Sequence, residues 1–137
     1  MADFDPRSEY PIGERRPDLV RTAGGFALND LTLDRLRRGD IPEDEFRATA
    51  ATLRMQAEVA RTAQRDQLAE NLIRASELAG IPDQVILEIY TALRPHRSSA
   101  DDLERWATRL ETVYNAAVTA ALVREAAHAY TARGLLA

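Results

Sequence analysis

A chain of 137 residues, 45% hydrophobic and 29% charged, has room for one modest core, and no apolar run in it approaches the roughly 20 residues of a membrane-crossing helix. A formal charge of -4 and a pI near 5.2 argue against the basic stripe of a nucleic-acid binder, so neither nucleic acid nor membrane is expected as a partner. Without cysteine there is no disulfide, thiolate metal site or thiol nucleophile, which suits a reducing cytoplasm.

The opening MADFDPRSEYP lacks the basic-then-apolar order of a secretion signal. Pro6, Pro11, Pro17, Gly13, Gly24 and Gly25 interrupt any helical period, so residues 1–30 read as an extended arm and residues 31–137 as a helical domain. In LTLDRLRRGD, Thr32 offers an N-cap, Leu33 and Leu36 share a face, and Gly39 supplies a stop. Pro42 stands at a first helical position before EDEFR. Thr49 then caps a longer helix from about Ala50 to Gln64, with Leu53, Ala57 and Ala60 inward.

Asp66 caps QLAENLIRASELA, where Leu68, Leu72, Ala75 and Ala79 recur at helical spacing before Gly80. Pro82 opens a helix carrying Ile86, Ile89, Tyr90 and Leu93, and Pro95 forbids its continuation. Ser98 and Asp101 have the spacing of a capping box. A stripe of Leu103, Trp106, Ala107, Leu110, Val113 and Tyr114 follows. The last pattern holds Val118, Ala121, Leu122, Ala126, Ala129 and Tyr130 before Gly134, and the sequence leaves open whether Asn115 separates it from its predecessor. With no strand-like alternation, the fold class is all-α: a small multi-helix domain with an extended N-terminal arm.

Catalytic chemistry needs titratable groups that converge, and the only histidines are His96 in a proline-bounded loop and His128 in the last helix. Glu125 and His128 have the i, i+3 spacing of di-iron bundles, but those bundles need a second such pair and two further carboxylates. The serines form no nucleophile elbow, and Gly24-Gly25 reads as a flexible joint, since no strand precedes it and no lysine follows. Asp101–Arg105 and Glu70–Arg74 are i, i+4 pairs worth only about 0.2–0.5 kcal/mol each. Trp106 offers an anchor for a partner or, lying squarely on the apolar stripe, a core residue, and the core reading is the equal or better one. Tyr90 and Arg94, at a helix end beside Pro95, are the candidate subunit-interface residues. No catalytic, cofactor-binding or metal-binding residue is expected on this chain.

Taken together, YPIGERRPDLVRT, LNDLTLD, TLRMQAEVA, LAENLIRASELAGIPDQVILEIYTALRP and ALVREAAHAY resemble the small subunit of adenosylcobalamin-dependent propanediol and glycerol dehydratases. The likeness spans nearly the whole chain, and IPDQVILEIYTALRPHRS is its most specific part. It departs from the family in lacking lysine throughout and in starting a helix with Thr49-Ala50-Ala51, without the proline usual there.

The resemblance implies a hydro-lyase in which an adenosyl radical converts a vicinal diol to an aldehyde and water. It implies a barrel-shaped large subunit that holds substrate and a medium subunit that helps enclose the cobalamin. This chain would dock on the large subunit, in a dimer of heterotrimers. Adenosylcobalamin would then belong to the holoenzyme and not to this chain. MADFDPRSE, broken by Pro6, is too short for a targeting helix, so association with a microcompartment is expected only through another subunit. The competing class is a stand-alone helical interaction or regulatory module.

Overall fold

The computed structural model describes residues 3–137; Met1 and Ala2 of the opening segment lie outside the described residues. Helices carry the fold, and the only β-type pairing among the described residues is one isolated bridge between Arg21 and Ala27. The fold is all-α. No helix among the described residues is long and apolar enough to cross a membrane. The chain forms two compact units, Met1–Ser76 and Glu77–Ala137.

In the first unit, proline and glycine keep helices short and side chains tie the turns. Helix α1 spans Ile12–Arg15 and a 3-10 turn covers Pro17–Leu19. Arg16 gathers this region, donating to Glu9 at 2.7 Å, to Asp18 at 3.0 Å and to the Asp3 carbonyl at 3.0 Å. Gly24-Gly25 is a held turn and not a loose joint. Thr22 and Phe26 exchange two hydrogen bonds across it, and the Gly24 N–H donates to Glu45 at 2.9 Å. A Cβ at Gly24 would collide with that carboxylate, so the space is already filled.

Helix α2, Leu33–Arg37, starts on Thr32, whose hydroxyl accepts the Arg35 N–H, and stops where Gly39 turns left-handed at φ +75°. Pro42 stands just before a 3-10 turn, Glu43–Phe46, in extended conformation and not inside the helix. Helix α3, Ala50–Thr62, is capped by Thr49 as the sequence predicts, but it ends two residues early. Gln64 adopts φ +58°, its N–H bonds the Arg61 carbonyl, and the Arg65 N–H bonds that of Ala60, which is a Schellman stop built without glycine.

Helix α4, Asp66–Leu78, packs on α3 through Ala57, Ala60 and Ala69, flanked by Leu72 and Ile73. Its buried line runs through Ala69 and Ser76, one position round from the expected Leu68, Ala75 and Ala79, and Leu68 is 44% exposed. The wholly buried positions of this contact are all small residues, Ala57, Ala60 and Ala69.

In the second unit the core is Ile81, Ile89, Leu103, Ala107, Leu110, Ala116, Ala120 and Val123. Helix α5, Asp83–Ala92, follows Pro82. Helix α6, Ala100–Tyr114, opens on a capping box one residue later than the sequence suggested, with Ser99 and Asp102 as its members. Ser98 is instead buried, and its hydroxyl donates to the Ala92 carbonyl at 2.8 Å.

Asn115, left-handed at φ +53°, does separate α6 from α7, Ala117–Arg133. Helix α7 buries Thr119, Ala120 and Val123, while the expected Val118 and Leu122 are 36% and 39% exposed; Val113 on α6 is likewise 65% exposed. Two of the predicted i, i+4 pairs also move, since Arg105 bonds Asp102 and Arg74 bonds Asn71, each three residues away.

The rotation of α7 has a physical cause. Its N-cap, Ala116, has no side-chain acceptor, and the carboxylate of Glu77, on the last turn of α4, takes that place. Glu77 accepts from the Val118 N–H at 3.0 Å, the Thr119 N–H at 2.8 Å and the Thr119 hydroxyl at 2.6 Å. An anion there also faces the positive end of the helix dipole. Replacing Glu77 with Ala is expected to lower unfolding free energy by about 1–2 kcal/mol, the upper part of the capping range, because buried Thr119 also loses its partner. A urea-denaturation midpoint equal to that of the parent would show that α7 starts without this carboxylate.

Candidate functional site

Helix α5 is amphipathic at a spacing that leaves one side for solvent. Ile89 is buried and Val85, Ile86, Ala92 and Leu93 pack on the same core, whereas Leu87 and Tyr90 are 59% and 57% exposed. At 3.6 residues per turn, Leu87, Tyr90, Thr91 and Arg94 fall within one arc of the outer face. The structure therefore brings both sequence-predicted interface residues, Tyr90 and Arg94, to the surface of one helix end.

Between α5 and α6 lies an open groove of about 600 Å³, with Leu87 and Thr91 on one wall, Asp102 and Trp106 on the other, and Arg97 at its rim. Trp106, read from sequence as core or anchor, is only half-buried. It packs against the core cluster and also lines the groove, and the Arg109 guanidinium lies 5.2 Å from its ring centroid. Leu87 and Arg97 are not singled out by the sequence, whereas Trp106 is, as either an anchor or a core residue. Leu87 carried a signal, since it is a leucine off the stripe of Ile86, Ile89 and Leu93.

The loop that presents Arg97 is anchored on both sides. The His96 N–H donates to the Leu135 carbonyl at 2.7 Å, its Nδ1 lies 3.3 Å from the Leu136 carbonyl, and the Ala137 N–H donates to the Ser98 carbonyl at 2.9 Å. The Tyr130 hydroxyl donates to the Leu93 carbonyl, closing the end of α5 onto α7. Hydrogen bonds from the Ser99 hydroxyl and N–H, with Arg105 nearby, hold the Asp102 carboxyl below the usual aspartate range, so this wall of the groove stays ionised.

His128 and Glu125 are both exposed on α7, and His96 lies in the loop just described. Among the described residues no three histidine, aspartate or glutamate side chains gather where they could hold a metal ion. A second cavity, of about 520 Å³ in the first unit, is lined by Phe4, Leu19, Ala51 and Met55 with Arg54 and Glu58. It holds no histidine.

A charge cluster clasps α6 to α7. Arg124 donates to Glu104 at 2.9 and 3.0 Å and to Glu111 at 2.7 and 3.0 Å, using its planar fork toward two carboxylates. Hydrogen bonding to Arg124 holds both glutamates below their ordinary range. A carboxyl depressed in the folded state adds stability above its unfolded value and loses it as pH falls through the folded one. Arg124→Gln is therefore expected to lower stability near neutral pH and to flatten the acid limb of the profile just below the ordinary glutamate range. Denaturation midpoints measured from neutral into acid would check this; parallel curves for parent and variant would contradict it.

The family model described as dehydratase small subunit matches residues 6–137. Among curated proteins, the propanediol dehydratase small subunit of Citrobacter freundii is 46% identical over 126 residues, which cover 92% of this chain and 73% of that protein. The protein of the same name from Salmonella typhimurium is 45% identical over the same shares.

Proposed function

The chain belongs to the dehydratase small-subunit family, and we propose that it works as a non-catalytic subunit of an adenosylcobalamin-dependent diol or glycerol dehydratase. The observation that carries this reading is identity near one residue in two to propanediol dehydratase small subunits over almost the whole chain. Nothing observed favours a stand-alone regulatory module over it. In this reading the large and medium subunits are its partners in a cytoplasmic dimer of heterotrimers. The reaction, a vicinal diol losing water to give an aldehyde, takes place on the large chain. Residues 1–30 and 31–137 act respectively as an arm and a helical docking domain, and Tyr90 and Arg94 lie in the subunit contact. Any encapsulation is directed by another subunit.

In this reading no residue of this chain holds the corrin cofactor. Neither His96 nor His128 lines the grooves described above; His96 is bound to the Leu135–Leu136 backbone, and His128 stands exposed on a helix. No step of the reaction is assigned to them.

The purified chain titrated with a cobalamin should show no stoichiometric change in the corrin absorption, whereas co-expression with large and medium dehydratase subunits should give one co-eluting complex. Tight binding by the isolated chain would overturn the accessory role. In the assembled enzyme, His96→Ala combined with His128→Ala should leave turnover within a few-fold of the parent. A loss of several orders of magnitude would place one of these imidazoles in the reaction.

A further inference from the structure

The loop between α5 and α6 has a fixed base and an exposed crest. At the base, the Ser98 hydroxyl donates to the Ala92 carbonyl at 2.8 Å and the Tyr130 hydroxyl holds the Leu93 carbonyl, while Ala92, Leu93 and Tyr130 all pack on the core of the second unit. The crest, residues 94–97, is exposed. Within it His96 is left-handed at φ +59°, a conformation that is costly for a residue with a Cβ and that persists where the surroundings over-determine it.

The segment beyond α7 supplies that hold. The Leu135 N–H donates to the Tyr130 carbonyl at 2.9 Å across Gly134, which is left-handed at φ +66° and turns the chain back toward the loop. A Cβ at Gly134 would meet nothing within 4 Å, so the demand for glycine there is one of backbone angle and not of space. The Leu135 carbonyl accepts the His96 N–H at 2.7 Å, the Leu136 carbonyl lies 3.3 Å from His96 Nδ1, and the Ala137 N–H donates to the Ser98 carbonyl at 2.9 Å. Leu136, half-buried, packs against the core cluster.

Local opening is easiest where few apolar contacts are buried and backbone hydrogen bonds lie close to solvent. This segment and the crest meet both conditions, whereas α6 and α7 carry the wholly buried Leu103, Leu110 and Val123. We propose that residues 134–137 are a latch over the α5–α6 loop, and that latch and crest open together while the base of the loop and the α6–α7 pair stay closed. Gly134 is the hinge and His96 the point of capture. Released from the Leu135 carbonyl, His96 relaxes out of the left-handed region, and Arg97 beside it swings away from the groove that it lines together with Ser98. The latch thereby sets whether that end of the groove has a fixed or a moving rim.

Native-state hydrogen exchange of the full chain, followed by NMR, tests the coupling. The His96 and Ala137 amides donate from opposite sides of the latch, so they are expected to open with equal constants and with far less protection than the amides of Leu110 and Val123. Ala137→Pro removes the donor to Ser98, and Gly134→Ala opposes the hinge. Each should lower the protection of the His96 amide about tenfold, the worth of one net hydrogen bond, while Leu110 and Val123 change by less than about twofold and report that the variant is folded. Gly134→Asn, which accepts the left-handed region more readily than alanine, should keep most of the protection. A His96 amide protected as strongly as Leu110 would mean that the loop opens only with the whole unit. Unequal opening of His96 and Ala137, or a His96 amide indifferent to both damaging substitutions, would mean that the segment does not hold the crest. Any of these results overturns the latch.

Discussion

The start of α7 is fixed by a carboxylate that lies 41 residues earlier in the chain. Glu77 supplies what Ala116 lacks, and in doing so it sets which residues of α7 face inward. A helix that is alanine on nearly every side has little preference for one face over another, because burial of a methyl group differs little around its circumference. The cap breaks that degeneracy. With Thr119 held against Glu77, Ala120 and Val123 turn toward Leu103, Ala107 and Leu110, and Arg124 comes within reach of Glu104 and Glu111. The left-handed Asn115 makes this geometry accessible by ending α6 without distance to spare before α7 begins.

The same arrangement shapes the candidate docking surface. Because α6 is clasped to α7, its other side, with Asp102 and Trp106, is free to form a wall against α5. The loop between α5 and α6 is tied to the C-terminal segment through His96 and Ser98, so Arg97 is presented from a restrained backbone. Pre-ordering of this kind reduces the conformational entropy lost when a partner binds. In the same unit Glu77 and Asp102 serve as helix caps and Arg124 as a clasp between α6 and α7.

What could be read from the sequence was governed by local rules. Thr32 and Thr49 announced helix starts, Gly39 and Gly134 announced stops, and the spacing of Leu103, Ala107 and Leu110 announced a buried face. Where the cause was remote or degenerate, the reading slipped. Gln64 carries no glycine signal for its left-handed turn, so the sequence predicts α3 two residues too long. The capping box moved by one residue because Ser98-Ser99 faces Asp101-Asp102 at equal spacing, and only the burial of Ser98 breaks the tie. The buried face of α4 runs through Ala69 and Ser76, and that of α7 is set by a distant carboxylate; the larger Leu68, Val118 and Leu122 announce neither. Tyr90 and Arg94 were legible as a helix end. The groove beside them was not, since it needs Arg97 from the loop and Trp106 from beyond it.

The α3–α4 contact has an unusual sensitivity built into it. Ala57, Ala60 and Ala69 are almost wholly buried, with Leu72 and Ile73 packed against them. Most cores fail when volume is removed and a void is left behind. This one has little volume to lose. It is vulnerable in the opposite sense, because each added methylene at these positions must displace the neighbours that already enclose the methyl group. Variation in this part of the subunit is therefore constrained by an upper limit on size and not by a need for hydrophobic bulk. Glycine and serine lie closer to what the site tolerates than valine or leucine, even though the latter pair would ordinarily be judged the more conservative exchange for a buried apolar residue.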